Sequence, residues 1–280
     1  MANIPHVPIA AEVIAHVGNF PISNTLVNST IAVAFFVIVG LVVKLVTRER
    51  PGRLQAGAEM LLEGLLNFFD QVTHDRAESR RFLPIVGTLF LFILVSNWMG
   101  LLPGTGSIGV HMLVHGEMEL VPLLRPANSD LNLTLAMALV AVVGAHLMAA
   151  IALGPWVHFN KFIQISPLFK AIVSLKPTKI MTAAVEFVVG IIEIFSELAK
   201  IASLSLRLFG NIFAGEVLMT VIAALVAWFV PLPFMAIELL VGIVQATVFA
   251  MLTLVYLTVL SSAPHGSHEK HVGGHAHAKA

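Results

Sequence analysis

Apolar runs long enough to cross a lipid bilayer recur along most of this chain. A bilayer core of about 30 Å requires about 20 consecutive apolar residues in a helix. Hydrophobic residues make up 58% of the chain and charged residues 11%, whereas a soluble domain carries about 25% charged residues. We therefore predict an all-α polytopic membrane protein with about five membrane-crossing helices. The predicted crossings cover residues 26–46, 82–102, 131–153, 178–230 and 234–260.

The crossings are expected to form one membrane domain over residues 1–260. The polar, His-rich tail over 261–280 is expected to be disordered. The first 30 residues contain no Lys or Arg, so they lack the basic start of a secretory signal peptide and are treated as mature protein. The chain has no cysteine, which excludes disulfides, and its net charge of zero argues against a nucleic-acid partner.

The segment 54–72 differs in pattern from the apolar runs. Its apolar residues fall at helical spacing, while polar residues repeat at every fourth position on another face. This pattern is typical of an amphipathic helix that lies in the membrane interface. The polar positions are Gln55, Glu59, Glu63 and Asn67.

The run 178–230 contains no proline and is compatible with a helix throughout. At about 1.5 Å per residue it could reach about 75 Å, far more than one bilayer core. It folds either as a hairpin of two spans or as one bent, strongly tilted helix. No residue with turn chemistry interrupts 191–209, which favours the tilted helix. Pro231 and Pro233 end it, and a last long, tilted helix follows over 234–260.

Basic residues predict the orientation of the chain. They are concentrated between Lys44 and Arg81 and between Lys161 and Lys179, while the loop 103–129 carries only Arg125. The positive-inside rule places these two basic regions in the cytoplasm and the N-terminus outside. Five crossings then put the C-terminus inside, whereas a hairpin over 178–230 would reverse that end.

The long run also carries a polar stripe. Its members are separated by steps of three, four or seven residues, which places them on one helical face. Small residues lie nearby and would let another helix approach closely. For Glu197 and Lys200, the alternative is a position near the interface, where they snorkel or form an ion pair. The stripe consists of Glu193, Glu197, Lys200, Arg207 and Asn211.

Arg207 is the member of the stripe whose charge is least compensated by neighbouring residues. Its immediate neighbours are apolar, and no acidic residue lies one helical turn away. An arginine at the centre of a membrane helix costs about 2.5–3.5 kcal/mol on insertion scales. The simplest remedy is a carboxylate supplied by another helix or another chain.

Two carboxyl groups flank the turn at Pro231–Pro233. Glu216 points away from the stripe, towards a neighbouring helix of this chain, and Glu238 shares a face of the last helix with Gln245. In an antiparallel pair of helices the two carboxyl groups would lie at similar depth and could carry protons. The alternative is that they are unrelated polar groups near the helix ends.

The run Ser205-Leu-Arg-Leu-Phe-Gly-Asn-Ile-Phe-Ala-Gly-Glu216 resembles the signature of the a subunit of F-type ATP synthases, the ATPase A chain family. The segments 245–257 and 130–139 resemble that family's last helix and its third crossing. The likeness extends from about Phe82 to Leu260. The segment 1–80 agrees only in layout.

The resemblance implies a role for each site residue. Arg207 would be the family's essential, proton-gating arginine, facing the carboxylates of a rotating ring of c subunits. The outer aqueous half-channel would be lined by Asn211, Glu216, Glu238 and Gln245. Glu193 would lie on the path to the cytoplasm. Some members carry His at the position of Gly215 or Glu238, so a relay in this chain would lack that His.

The resemblance also implies partners and a location. The partners would be the c-subunit ring, the b-subunit stator, the remaining ATP synthase subunits and the lipid bilayer. The chain would be a non-catalytic, proton-translocating subunit in a bacterial plasma or inner membrane, with no cofactor. A stand-alone secondary transporter or channel is the alternative, but it would need a midplane site between repeated halves, and no repeat is evident. A structural subunit that does not conduct is a further alternative, against which the polar stripe argues.

Histidines outside the stripe give weaker signals. His111 and His115 could bind a metal ion, although solvated loop residues are the simpler interpretation, and no metal site is predicted. The tail histidines are interpreted in the same way. His146 either borders the inner path or, as we favour, forms a hydrogen bond within the bundle. Asp130 is predicted to cap the helix that follows it.

Overall fold

The computed structural model describes residues 8–47, 52–102, 105, 108–114, 117–155, 177–225 and 229–261. This described part contains six helices, α1 to α6, and two β-hairpins, β1–β2 and β3–β4. The helices are Asn24–Val46, Arg53–Thr73, Arg76–Gly100, Leu131–Leu153, Pro177–Leu225 and Pro231–Ser261. The strands are Val13–Val17, Phe20–Ser23, Gly109–Val114 and Glu117–Pro122.

Five of the helices, α1, α3, α4, α5 and α6, are long and apolar enough to cross a membrane. The prediction of an all-α polytopic membrane protein is therefore confirmed. The remaining helix, α2, is the predicted amphipathic helix. Asp130 caps α4 as predicted, since its side chain accepts a hydrogen bond from the Asn132 backbone N–H at 2.8 Å.

Helix α5 is one continuous helix of 49 residues. This excludes a hairpin turn within Pro177–Leu225 and leaves the single long helix. Its length is about 74 Å at 1.5 Å per residue. In a bilayer core of about 30 Å, the helix must therefore either tilt strongly or extend beyond the core. Helix α6 begins at Pro231, where a missing N–H costs nothing because the first turn has no acceptor for it.

The core lies where α6 packs between α3 and α4, and α5 packs along α4. Small side chains allow the close approach of these helices, because they bring the backbones together without leaving cavities. Fully buried alanines recur on one face of α4 at steps of three or four residues, at Ala138, Ala141, Ala145 and Ala149. Alanines 246 and 250 of α6 are equally buried.

The segment 103–129, which was predicted as a loop, also contains regular secondary structure. Strands β3 and β4 form an antiparallel hairpin within it, and residues Ala127–Ser129 form a 3-10 turn. A second antiparallel hairpin, β1–β2, precedes α1. We call the end of the bundle that carries β1–β2 the hairpin end.

Buried amides join the helices at the hairpin end. Asn128 donates to Asn97 Oδ1 at 2.6 Å, and Asn97 donates to the Gly242 carbonyl at 3.4 Å. Thr25 of α1 donates to Asp130 at 2.9 Å. These bonds link α1, α3, α4 and α6 through side chains that would otherwise be costly to bury.

Several predictions concern residues outside the described part of the chain. These are the disordered tail, apart from Ser261, the basic connection from Lys161 to Lys176, and the interpretation of His115 as a solvated loop residue. His111 itself lies exposed on β3.

Candidate functional site

Arg207 lies on an exposed face of α5, beside buried Leu204 and Leu208. Its guanidinium donates a hydrogen bond from Nη2 to Ser203 Oγ at 3.4 Å, one turn back on the same helix. Within the described residues it forms no ion pair. The positive charge of Arg207 therefore lies on the outer surface of the chain, and no acidic side chain among the described residues neutralises it.

Asn211 lies one turn beyond Arg207 and is also exposed. On the next part of the helix, the rings of Phe209 and Phe213 stack with their centroids 5.5 Å apart. The exposed face around Arg207 continues as apolar surface, with Phe195 at 68% and Leu206 at 54% exposure. Arg207 and Asn211 are thus polar groups set in a long apolar surface of α5.

The polar stripe of α5 divides into two parts. Glu197 accepts a hydrogen bond from Lys200 Nζ at 2.6 Å, and its other oxygen lies 3.3 Å from His146 Nε2 of α4. The Lys200 ammonium lies 5.0 Å from the centroid of the Tyr256 ring of α6. The ion-pair alternative given for Glu197 and Lys200 is therefore the one observed, and the pair lies against α4 and α6.

Glu193 is partly buried, one turn before Glu197. Both glutamates lie on the side of Arg207 away from the hairpin end. His146 adopts the hydrogen-bonding role within the bundle that was favoured for it. The structure thus places a cluster of ionisable groups at this level, joining α4, α5 and α6.

Glu216 faces the opposite direction, towards the loop that precedes α4. Its Oε1 accepts a hydrogen bond from Arg125 Nε at 2.7 Å, and the two side chains are 16% and 2% exposed. The ring of Phe213 lies 6.0 Å from Arg125 Cζ and forms one wall of this site. Glu216 was expected to face a neighbouring helix, but its partner is an arginine of a loop.

Arg125 holds the N-terminal segment at the same point. Its Nη2 donates to the Pro8 carbonyl at 2.8 Å, and its Nη1 donates to the Ala10 carbonyl at 3.2 Å. The Arg125 carbonyl in turn accepts a hydrogen bond from Asn28 of α1 at 2.8 Å. One side chain thereby connects the N-terminal segment, the loop and α5.

Glu238 of α6 lies directly against Gly215 of α5. A methyl group placed on Gly215 would overlap the Glu238 carboxyl group. Glu238 therefore lies at the α5–α6 seam at the level of Glu216, as expected for antiparallel helices, although the Glu216 side chain itself faces Arg125. Gln245 is partly buried two turns further along α6.

Sequence reasoning missed the roles of Arg125 and the N-terminal segment. Arg125 is the only basic residue in the loop 103–129, and this was used only to orient the chain. Its closeness to Pro126 and Asp130, at the start of a predicted crossing, was the available signal. The contact with Pro8 and Ala10 could not be predicted, because every residue has a backbone carbonyl group and the sequence does not show which of them accept a hydrogen bond from a side chain.

Comparison with known proteins agrees with this arrangement. The family model described as "ATP synthase A chain" matches residues 26–258, which is most of the chain. The chain belongs to the ATP synthase A chain family. The matched residues include all five membrane-crossing candidates in whole or in large part, together with every charged side chain of the site described above.

Two relatives within the ATP synthase A chain family illustrate the extent of the likeness. "ATP synthase subunit a" of Moorella thermoacetica is 31% identical over 246 residues, which cover 87% of this chain and 93% of the relative. "ATP synthase subunit a 2" of Bradyrhizobium sp. is 30% identical over 252 residues, which cover 89% and 94%. Family membership and the five apolar helices together identify a multi-pass integral membrane protein.

Proposed function

We propose that this chain is the proton-translocating stator subunit of an F-type ATP synthase. The observation that supports this function best is Arg207, a cation set in the apolar surface of α5 without an acidic partner among the described residues. Such a group needs negative charge from a neighbouring chain. In the proposed complex, the carboxylates of a rotating c-subunit ring supply it. The chain is not an enzyme by itself.

Two paths lead protons to the ring and away from it. From outside, protons pass Glu238 and Glu216, then Gln245 and Asn211, and reach a ring carboxylate. The neutralised carboxyl group can then enter lipid. After almost a full rotation it releases its proton inward near Glu193.

Arg207 separates these two paths. Its fixed positive charge attracts the ionised ring carboxylate and repels protons, which prevents a direct leak between the paths. Moving one charge through 100 mV yields about 2.3 kcal/mol, which is enough to bias the direction of thermal steps. The length of α5 suits this role, because one helix can follow the ring and offer access at two depths.

The remaining partners and the location follow from the same assignment. The chain assembles with the c ring, the b-subunit stator and the other ATP synthase subunits in a bacterial plasma or inner membrane. Its N-terminus lies outside and its C-terminus in the cytoplasm.

Substitution of Arg207 tests the proposal. In membrane vesicles that contain the whole complex, Arg207→Ala is expected to lower proton-driven ATP synthesis by at least about 10²-fold, the loss typical of a key electrostatic group. Arg207→Lys should also fail, because lysine can lose its proton when it is desolvated. Arg81→Gln, an arginine substitution at an exposed position of α3, is the control.

Normal coupled synthesis by Arg207→Ala would refute the assignment. Purification of the complex separates it from a stand-alone transporter. The proposed function requires that the chain copurify with a small membrane protein whose helix carries an Asp or Glu at mid-membrane depth.

A further inference from the structure

Arg125 is the only charged side chain that is fully buried among the described residues, with 2% of its surface exposed. Each of its three guanidinium nitrogens donates to a different acceptor. Nε contacts Glu216, Nη1 contacts the Ala10 carbonyl and Nη2 contacts the Pro8 carbonyl. The planar, forked shape of the group fixes all three directions at once. Arg125 therefore fixes the position of the Glu216 carboxyl group, whereas a cation without this geometry would only attract it.

The two oxygens of the Glu216 carboxyl group differ. Oε1 is occupied by Arg125 Nε at 2.7 Å. Oε2 is buried and has no hydrogen-bond partner within the described residues. A buried polar atom without a partner is rare in a folded protein, because it loses its hydrogen bonds to water and gains nothing in exchange. An oxygen of this kind is an acceptor that is available to a water molecule or a proton.

We infer that Arg125 is a positioning residue of the outer proton path, which fixes Glu216 through Oε1 and leaves Oε2 as the oxygen that accepts protons. The inference rests on the proposed function and adds a residue to it. Arg125 itself does not carry the proton, since its guanidinium stays charged. Its effect on proton flow is transmitted through Glu216.

A purely structural role gives a different expectation. The bonds from Arg125 to Pro8 and Ala10 anchor the N-terminal segment over the hairpin end of the bundle. If anchoring were the whole role, removing Arg125 would disturb proton flow by the same factor whether or not Glu216 were present. If Arg125 acts through Glu216, its effect vanishes once Glu216 is gone.

A double-mutant cycle in the complete ATP synthase distinguishes these roles. The variants Arg125→Gln, Glu216→Gln and the combination are compared with the wild type for proton flux in vesicles, normalised to the amount of assembled complex. Arg125→Gln is expected to lower the flux by about 10- to 10²-fold, as misplacement of a functional group by about 1 Å can do. In the Glu216→Gln background, Arg125→Gln should lower the flux no further.

Equal factors in both backgrounds overturn the inference, and so does a wild-type flux for either single variant. Arg125→Lys is the second variant, used in the same cycle if Arg125→Gln does not assemble. It keeps the charge but lacks the fork, so its flux should be below the wild-type flux, by a smaller factor than the one predicted for Arg125→Gln. In the Glu216→Gln background it should lower the flux no further.

Arg81→Gln, on an exposed position of α3, is the matched control and should leave the flux at the wild-type level. Arg207→Ala, measured in parallel, separates the two proposals. If it abolishes coupled synthesis while the cycle is additive, the inference about Arg125 fails and the proposed function stands. If it leaves synthesis normal, the proposed function fails.

Discussion

At the scale of single residues, the surroundings of each charge indicate how it is used. Arg125 is buried and satisfied within the chain, whereas Arg207 is exposed in an apolar surface and unmatched among the described residues. The same residue type thus serves as a fixed structural cation in one place and as an available cation in the other. Gly215 has no side chain, and this leaves room for the Glu238 carboxyl group.

Gly215→Ala tests the importance of that close approach. The new methyl group would displace the Glu238 carboxyl group, which is the flexible end of its side chain, so the fold should tolerate the change. Alanine in a helix interior even favours the helix by about 0.5–1 kcal/mol. Proton flux is nevertheless expected to fall by about tenfold or more, because the carboxyl group leaves its place.

Flux per assembled complex is the quantity to measure for Gly215→Ala. Gly40→Ala on α1, where an added methyl group meets no atom within 4 Å, is the control and should have no effect. An unchanged flux for Gly215→Ala would show that the contact between Gly215 and Glu238 does not matter for conduction.

At the scale of elements, the corner between α2 and α3 turns the chain from the interface into the membrane. His74 adopts a left-handed conformation at φ 54°, and Asp75 caps α3 by accepting from the Ala77 backbone N–H at 2.8 Å. Arg76 donates to Asp70 at 2.7 Å and also pairs with Glu63. The corner is therefore held by polar contacts made next to the apolar start of α3.

The Asp70 carboxylate gives this corner a pH dependence. The Ser79 hydroxyl and the Arg76 guanidinium hold the pKa of the Asp70 carboxyl group below its ordinary value of 3.8. Because the pKa is lower in the folded state, the contribution to stability is present above the pKa that Asp70 has in the unfolded chain. It is lost as the pH falls through the folded-state pKa.

Asp70→Asn is therefore expected to loosen the corner at pH 7. Hydrogen exchange over residues 67–80 should be about two- to fivefold faster than in the wild type, as for the loss of an exposed ion pair. The ratio of the two rates should approach one as the pH falls below the folded-state pKa. Gln71→Ala, at an exposed side chain of α2, is the control. A ratio of one already at pH 7 would contradict the expectation.

At the scale of the whole molecule, the groups on the two proposed proton paths lie towards opposite ends of the helix bundle. The hairpin end contains β1–β2, Arg125, Glu216 and Glu238, whereas α2 and the cluster of His146 with Glu197 lie towards the other end. The proposed orientation makes the hairpin end the outer side. Protons would then enter beside the N-terminal segment and leave on the side of α2.

The absence of cysteine makes this orientation easy to test. Asn19→Cys lies in the exposed turn between β1 and β2 and should react with a membrane-impermeant thiol reagent in intact cells. Gln71→Cys on α2 and Ala278→Cys in the tail should react only after the cells are opened, because both lie in the cytoplasm under the positive-inside rule. The reverse pattern of labelling would invert the proposed direction of proton entry.

The helices and the unusual charge could be predicted from the sequence, because both depend on local properties. A run of apolar residues forms its backbone hydrogen bonds within one segment, and a membrane leaves it few other conformations. The extents of α1 and α4, the amphipathic character of α2 and the lack of a nearby acid around Arg207 are all of this kind, whereas α3 begins at Arg76, six residues before the predicted start. The proline-free run over 178–230 likewise favoured the single helix that α5 turned out to be.

The partners of the buried groups depend on tertiary structure instead. Arg125 meets a glutamate 91 positions away and two carbonyl groups more than 100 positions away, and Glu238 meets a glycine across a turn. Glu197 and Lys200 are partly covered because α4 and α6 bring His146 and Tyr256 to them. These contacts follow from the packing of helices on small side chains. The periodicity of each helix restricts the faces available for packing, and only the folded bundle determines which residues meet.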